Sequence, residues 1–356
     1  MRLKNAALIG LLLIFPPLLS CATSATARFH RGLRSFEVGD YADAISEYDK
    51  AIALDPAYAE AYNQRGVARR RGFRDAQGAI ADFTRAIELK PDYAQAYNNR
   101  CLAWNLLRDW QRMAEDASKA VDLDPSYGAA IVNRGIAHQG MGDYEQALAD
   151  YSRALRVDPH GRDGLDAYFH RGDLYYRLAR YGDAVVDLNA CYELSGSLWP
   201  DYPHLSDIHR LRGRSHVMLG EWSNADGVYA SWDAMNQGME QYDVLLWHIA
   251  RHKVGAPDRE FLQRYAEDAD PEQWPYPVYR MFLGTISLED CVRLAGSTDA
   301  EAVKGNQCEA YFYIAEKLLA DGEDEAARAY FEKCLGTQMT QFLEFRIAQH
   351  ELERMN

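Results

Sequence analysis

Residues 128–161 read GAAIVNRGIAHQGMGDYEQALADYSRALRVDPHG, a stretch that carries the signals of two short helices and of the turn between them. The turn lies at the Gly-Asp-Tyr sequence of residues 142–144, and Pro159 ends the second helix because proline cannot continue one. Gly135 in the first helix and Ala147 in the second are small, so the two helices can approach closely where they cross. The stretch therefore predicts an antiparallel helix pair.

The same pattern recurs along the chain at intervals close to 34 residues. A column of small residues marks the first helix of each copy, at Gly32, Gly66, Cys101, Gly135, Gly172 and Gly213. Prolines end the second helix in four copies, at Pro56, Pro91, Pro125 and Pro159. We expect repeats at 25–58, 59–93, 94–127, 128–161 and 165–198, with a degenerate sixth at about 206–238. Because one such pair cannot bury its own apolar face, neighbouring pairs must stack.

The period and the residue classes of these columns resemble those of the tetratricopeptide repeat (TPR). The resemblance implies an all-α fold, a right-handed superhelical solenoid of antiparallel helix pairs whose first helices line a concave groove. We expect the TPR array over residues 28–238, with its first helix starting near Arg28. Residues 239–305 are expected to form a degenerate helical pair and atypical helices, and residues 306–356 a TPR-like pair with a C-terminal capping helix.

Three side chains in the C-terminal third are expected to cap helices. Asp258 would begin the second helix of a pair at 241–253 and 258–268, and Ser287 and Thr340 would begin two later helices. In the last helix, the residues expected to face water are Glu344, Arg346, Glu351 and Glu353.

The N-terminus predicts export followed by a lipid anchor. Two basic residues precede an apolar run at 6–19 that is too short to cross a bilayer permanently and is typical of a signal peptide. The sequence Leu-Leu-Ser-Cys at 18–21 resembles the bacterial lipobox, in which the cysteine is acylated. The resemblance implies a lipoprotein signal peptide at 1–20, a palmitate-bearing Cys21 and a short tether at 21–27. The alternative is an ordinary signal peptide with an incidental cysteine.

Six short motifs distinguish the C-terminal third from a generic repeat: 272–274 (Glu-Gln-Trp), 282–284 (Phe-Leu-Gly), 286–287 (Ile-Ser), 311–313 (Tyr-Phe-Tyr), 321–324 (Asp-Gly-Glu-Asp) and 342–346 (Phe-Leu-Glu-Phe-Arg). Together they resemble the NlpI-type outer-membrane TPR lipoproteins over roughly residues 242–354. Members of that family are non-catalytic homodimeric adaptors that bring murein endopeptidases to a periplasmic protease and help to organise cell-wall hydrolases. The resemblance implies a lipid-anchored protein on the periplasmic face of the outer membrane, with cell-wall hydrolases and a protease as partners and a homodimer as one oligomeric state.

Composition and motifs favour a binding protein over an enzyme. The 356-residue chain is 48% hydrophobic and 12% aromatic, which excludes a disordered chain, and its formal net charge of −14 disfavours nucleic-acid binding. The sequence contains no short motif of a serine hydrolase, nucleotidase, zinc protease or thiol oxidoreductase, and we expect no cofactor and no metal.

His248 and His252 could share a metal ion, although packing is the favoured interpretation. The alternatives to an adaptor are an assembly lipoprotein for an outer-membrane secretin or β-barrel and, in another class, a metal-dependent or cell-wall-cleaving enzyme.

The groove-facing positions of the first helices are rich in amides and arginine, groups that suit the backbone of an extended peptide. The candidate partner-binding residues are Asn63, Arg70, Asn98, Asn105, Gln139, Tyr176, Arg210 and Arg214, together with Trp199 in the long connection at 195–204. The alternative is a solvated face without a ligand and, for Trp199, a role in covering a repeat end. A separate column of arginines is expected to form hydrogen bonds between repeats first and ligand contacts second: Arg31, Arg65, Arg100, Arg134, Arg171 and Arg212.

Besides Cys21 the chain has five cysteines, an odd number for an oxidising compartment, so at least one stays free. Cys308 could pair with Cys334, which lies near the end of the antiparallel partner helix, or with Cys291. Three buried thiols are the remaining alternative.

Overall fold

The computed structural model describes residues 24–198, 201–235, 238–296 and 299–355. Their regular structure consists of nineteen α-helices, and these ranges contain no β-strand, so the expected all-α fold class is confirmed. Within the same ranges, none of the helices has the length and apolar character that a bilayer crossing requires.

Two compact units make up the chain, unit 1 ending at Asp158 and unit 2 beginning at Pro159. The division falls inside the predicted TPR array, near the end of its fourth repeat. Unit 1 contains α1 (Ala25–Glu37), α2 (Tyr41–Leu54), α3 (Ala59–Phe73), α4 (Ala76–Leu89), α5 (Ala94–Leu106), α6 (Trp110–Leu123), α7 (Gly128–Met141) and α8 (Tyr144–Val157). Unit 2 contains α9 (Arg162–Arg177), α10 (Tyr181–Leu198), α11 (Leu205–Leu219), α12 (Trp222–Ala234), α13 (Gln241–Lys253), α14 (Arg259–Asp268), α15 (Tyr276–Phe282), α16 (Leu288–Leu294), α17 (Ala300–Ala320), α18 (Asp324–Gly336) and α19 (Leu343–Arg354).

The first helix begins earlier than the sequence predicts. Ser24 caps it, since the Ser24 hydroxyl accepts a hydrogen bond from the backbone N–H of Ala27 at 3.1 Å. Consequently α1 starts at Ala25, three residues before the expected start at Arg28.

Local capping signals explain where several other helices begin. Aspartate side chains cap the second helices of the first three pairs, and their bonds run from Asp43 N to Asp40, Gly78 N to Asp75 and Arg112 N to Asp109. The expected caps at Asp258 and Ser287 are confirmed, with bonds of 2.9 and 3.0 Å from the backbone N–H groups three residues later. The expected cap at Thr340 is wrong, because α19 starts after Phe342 and has no side-chain cap.

The small-residue column exists because a large aromatic ring from the second helix packs against it. A Cβ atom at Gly135 would lie 2.6 Å from the ring of Tyr151, and one at Gly213 would lie 2.6 Å from the ring of Tyr229. Both tyrosine side chains are fully buried. The two helices therefore approach closely, as expected from the sequence, because a ring of the second helix fills the space beside the glycine of the first.

The helix pairs of unit 1 stack in chain order. Each second helix packs on the first helix of the next pair, and the first helices also contact each other, α1 with α3, α3 with α5 and α5 with α7. The second helices of unit 1 make no comparable contacts with each other in the described residues. The first helices of unit 1 therefore lie on its inner side, as expected for stacked helix pairs.

The last helix of unit 2 packs on more than its neighbour in sequence. Besides α18, α19 contacts the first helices α11 and α17. Its residues Ile347 and Ala348 are buried in the large apolar core of this unit. The C-terminal helix therefore lies on the first helices of unit 2 and does not merely close the end of a stack.

Candidate protein-binding surface

Four arginines of the column form ion pairs within their own helix pairs. In four pairs the first-helix arginine binds a buried aspartate on the second helix: Arg65 with Asp82, Arg100 with Asp116, Arg134 with Asp150 and Arg171 with Asp187. Other bonds reach the preceding pair, from Arg65 to Asp49, Arg100 to Thr84 and Arg212 to Asn189. The expected bonds between repeats are therefore present for these three arginines, and the aspartate on the second helix is a further partner that the arginine column alone does not signal.

Burial of these ion pairs affects their protonation. Burial raises the pKa of Asp82 and of Asp187, and the paired arginine opposes the change in each case. An aspartate in this position accepts both bonds of a guanidinium group, which leaves little of the arginine for a ligand.

Two of the expected groove residues are buried and link neighbouring helix pairs. Asn63 and Asn98 are only 1% and 4% exposed. Asn99 Nδ2 donates to Asn63 Oδ1 at 3.0 Å, and Asn133 Nδ2 donates to Asn98 Oδ1 at 2.8 Å. Asn98 Nδ2 in turn donates to the hydroxyl of Tyr127. Because buried amides need partners, these asparagines form a ladder between first helices and do not lie open on the groove floor.

The residues left on the inner side of unit 1 form a mixed apolar and polar surface. On each of α3, α5 and α7 an apolar residue is followed three residues later by a polar one, so both lie on the same helix face. We call this surface the inner strip, of which Val67 is buried and the other five residues are partly exposed: Val67, Arg70, Leu102, Asn105, Ile136 and Gln139. Gln139 Oε1 accepts a hydrogen bond from the buried Tyr151 hydroxyl at 2.8 Å, so part of its amide is already used.

Arg70 is the member of the inner strip whose bonding is incomplete. Its side chain is half-buried, and the buried Nε atom has no hydrogen-bond partner among the described residues. Burial and then the neighbouring Arg71 lower the pKa of Arg70. Asn105, on the next first helix, is half-buried, and its side-chain amide makes no hydrogen bond to the described residues of unit 1. A partner that brings a carboxylate and a peptide backbone would satisfy both groups.

The expected binding residues of unit 2 are occupied by its own chain. Arg214 on α11 binds the fully buried Asp243 on α13 with two bonds, of 2.7 and 2.8 Å. Arg210 pairs with Asp207 on its own helix. Tyr176 packs against the core, and burial raises its pKa to about 12. These residues therefore stabilise unit 2.

The C-terminal helix covers part of the inner side of unit 2. Glu344 and Glu351 on α19, expected to face water, are only 6% and 5% exposed. The Tyr313 hydroxyl donates to Glu344 at 3.1 Å, and Lys253 Nζ lies 3.5 Å from Glu351 Oε2. The expectation is wrong for these two residues because α19 has helices on several sides, whereas Glu353 is exposed as expected. The inner strip of unit 1 is consequently the stronger candidate for binding a partner.

The remaining candidates are the lipidation site, the tryptophan of the long connection and the C-terminal cysteines. Cys21 and Trp199 lie outside the described residues. The Sγ atoms of Cys308 and Cys334 are 3.4 Å apart as thiols, and Cys291 is a buried free thiol.

Among the described residues, the histidine pair has no third metal-ligating neighbour. The rings of His248 and His252 are 4.6 Å apart, and burial lowers the pKa of His248 to about 3. The part of the chain that the structure describes contains no group of three or more histidine, cysteine, aspartate or glutamate side chains arranged to hold a metal ion.

Comparison with known families defines the class of protein. Residues 32–70 match a family described as TPR repeat, and residues 129–160 and 165–197 match families described as tetratricopeptide repeat. The chain therefore carries TPR repeats, a fold suited to protein–protein interaction.

Individual relatives are distant. The chain is 25% identical to a protein named lipoprotein NlpI homolog from Haemophilus influenzae, over 186 residues that make up 51% of this chain and 57% of that protein. It thus spans little more than half the length of this curated relative.

Two solved structures share the fold. PilW, described as a widely conserved type IV pilus biogenesis factor, gives a TM-score of 0.55 with 21% identity, covering 62% of this chain and 98% of PilW. PilF of Pseudomonas aeruginosa gives a TM-score of 0.52 with 17% identity, covering 63% of this chain and 94% of PilF.

Proposed function

We propose that the chain is a non-catalytic scaffold that binds partner proteins through the inner strip of unit 1. The observation that carries the proposal is Arg70, a half-buried cation whose Nε atom lacks a partner. Leaving such a group unsatisfied is costly, so a ligand that supplies an acceptor gains affinity there.

The inner strip favours an extended segment with a carboxylate and apolar side chains. Arg70 would bind the carboxylate, Asn105 would bond the segment's backbone, and Leu102 and Ile136 would contact its apolar side chains. Both Leu102 and Ile136 are partly exposed.

The cellular setting of this scaffold is proposed from the sequence. The lipobox at 18–21 and the name of the Haemophilus influenzae relative support a lipoprotein anchored through Cys21 to the periplasmic face of the outer membrane. The motifs shared with the NlpI-type lipoproteins favour cell-wall hydrolases and a periplasmic protease as partners, and a homodimer as the oligomeric state.

Affinity capture from an envelope extract tests the proposal. The double variant Arg70→Ala/Asn105→Ala should retain about tenfold less partner than the wild type, as expected for loss of an arginine at the centre of an interface. The matched control is Gln111→Ala/Lys119→Ala, which removes an amide and a cation from the exposed surface of α6. Equal capture by both double variants would exclude the inner strip, and digestion of peptidoglycan by the purified chain would favour an enzyme.

A further inference from the structure

Unit 2 contains a cavity of about 440 Å³ between α13, α15, α17 and α19. Its apolar wall comes from Ile249, Phe282 and Leu319, and its charged lining includes Lys253 and Glu316. The volume lies in the range of small-molecule sites. Nothing in the proposed scaffold role uses this cavity.

Glu316 is the unusual group of the cavity. Its side chain is only 1% exposed, and neither carboxylate oxygen has an aligned hydrogen bond. Lys253 Nζ lies 3.0 Å from Oε2 and forms an ion pair that is poorly aligned for a hydrogen bond. A buried carboxylate ordinarily accepts several hydrogen bonds, so the ion pair with Lys253 leaves most of the acceptor capacity of Glu316 unused.

The cations of the cavity are already engaged. Lys253 is shared between Glu316 and Glu351, and Arg354 Nη1 lies 2.7 Å from Glu351 Oε1. Burial lowers the pKa of His252, which favours its uncharged form. Neither α13 nor α19 therefore supplies a cation that is free to complete the bonding of Glu316.

The raised pKa of Glu316 agrees with its small number of hydrogen-bond donors. Burial raises its pKa to about 7, although Lys253 opposes the change. The groups that face Glu316 are Lys253 and His252 from α13 and Glu351 and Arg354 from α19, while α15 contributes the uncharged Phe282.

We propose that this cavity binds a primary ammonium group carried on an apolar body. The ammonium donates hydrogen bonds to Glu316, and the body packs against Ile249, Phe282 and Leu319. A free alkylamine and the side chain of a lysine in a peptide share this chemistry.

Calorimetric titration of the full chain with four small probes tests the proposal. Pentylamine carries the ammonium and the apolar body, pentanol and pentanoate keep only the body, and Nα-acetyl-lysinamide presents the same ammonium as a lysine side chain. Pentylamine should bind at least about tenfold more tightly than pentanol or pentanoate, which corresponds to one charge-assisted hydrogen bond. Binding of the lysine derivative as tight as that of pentylamine identifies a protein side chain as the source, and binding of pentylamine alone identifies a free amine.

Two variants and one control make the result specific. Glu316→Gln keeps the side-chain shape and should weaken pentylamine binding about tenfold, whereas Asp321→Asn removes an exposed carboxylate at the end of the same helix and should leave binding unchanged. Leu319→Trp should fill the cavity and abolish binding while circular dichroism stays the same.

The pH dependence gives an independent readout. The wild type should bind pentylamine more tightly at pH 8 than at pH 6, because the ammonium needs the ionised form of Glu316, and Glu316→Gln should lose this dependence. Equal affinity for pentylamine and pentanol, or unchanged binding in Glu316→Gln, would overturn the proposal.

Discussion

Glu309 is a buried carboxyl group whose surroundings disfavour its charge. It accepts hydrogen bonds from Trp274 Nε1 and from the Tyr242 hydroxyl, but it lies beside the buried Glu344. Burial, followed by the charge of Glu344, raises its pKa from the ordinary 4.5 to about 8. The folded chain therefore holds a proton at Glu309 in a pH range where the unfolded chain has lost it.

This difference predicts that stability falls as pH rises. The stabilising contribution of protonated Glu309 is complete below about pH 4.5 and is lost as the pH passes through about 8. In urea unfolding between pH 5 and 8, Glu309 alone should lower the free energy of unfolding by up to about 1.4 kcal/mol per pH unit, and Glu316, whose pKa is also raised, should add to the decrease. Glu309→Gln should flatten this dependence, and Glu325→Gln, at an exposed position, should not. A slope that is unchanged in Glu309→Gln would contradict the assignment.

The three C-terminal cysteines give a second prediction. Because the Sγ atoms of Cys308 and Cys334 are 3.4 Å apart, a small rotation brings them within bonding distance, and oxidised glutathione should join them with loss of both thiol hydrogens. Peptide mapping by mass spectrometry should find Cys308 linked to Cys334 and Cys291 still free to react with an alkylating agent after unfolding. A link between Cys291 and Cys308, or three free thiols after oxidation, would be the contrary result.

At the scale of the helix pair, the glycine of the first helix has little room for a side chain because an aromatic ring of the second helix lies against it. Gly213→Ala places a Cβ atom against Tyr229, which is buried and cannot move aside, so we expect a loss of about 1–3 kcal/mol. Gly227→Ala on α12 of the same pair has open space around its Cβ atom and should be neutral or stabilising by about 0.5 kcal/mol. Chemical denaturation measures the free energy of unfolding of both variants. Equal changes would show that the close contact between Gly213 and the Tyr229 ring does not determine stability.

The docking of α19 gives a further prediction at this scale. Ile347 is buried in the core of unit 2, so Ile347→Ala should cost about 2–5 kcal/mol in the free energy of unfolding. Glu353 on the same helix is exposed, and Glu353→Ala should change stability little. If Ile347→Ala leaves both stability and protease resistance of the C-terminus unchanged, α19 does not pack on the first helices in solution.

The sequence predicts helix pairs well because their signals are local. A glycine, a turn and a proline recur in each repeat, and Asp258 and Ser287 mark helix starts by their own side chains. It predicts the exposure of α19 poorly, because helical periodicity assumes one buried face. The contact of Lys253 with Glu351 joins residues 98 positions apart, and no local pattern signals it.

At the scale of the whole chain, the same distinction separates the fold from the candidate site. Repeats position the first helices, so the inner side of unit 1 could be expected from the sequence. Which polar residues remain free there could not, since Asn63 and Asn98 are engaged by Asn99 and Asn133 of neighbouring helices. Among the expected groove residues of unit 1, Arg70 and Asn105 are the ones that keep side-chain groups without a hydrogen bond to the described residues.

Site-specific photo-crosslinking tests the central claim most directly. Leu106 is exposed on α5 and lies four residues after Leu102, so a photoreactive side chain there would face a partner bound to the inner strip. The same group at Lys119, exposed on α6, serves as the control. Irradiation of intact cells should give a crosslinked protein partner from position 106 and none from position 119, and the Arg70→Ala change should remove it. A partner crosslinked from position 119 alone, or equally from both positions, would contradict binding through the inner strip.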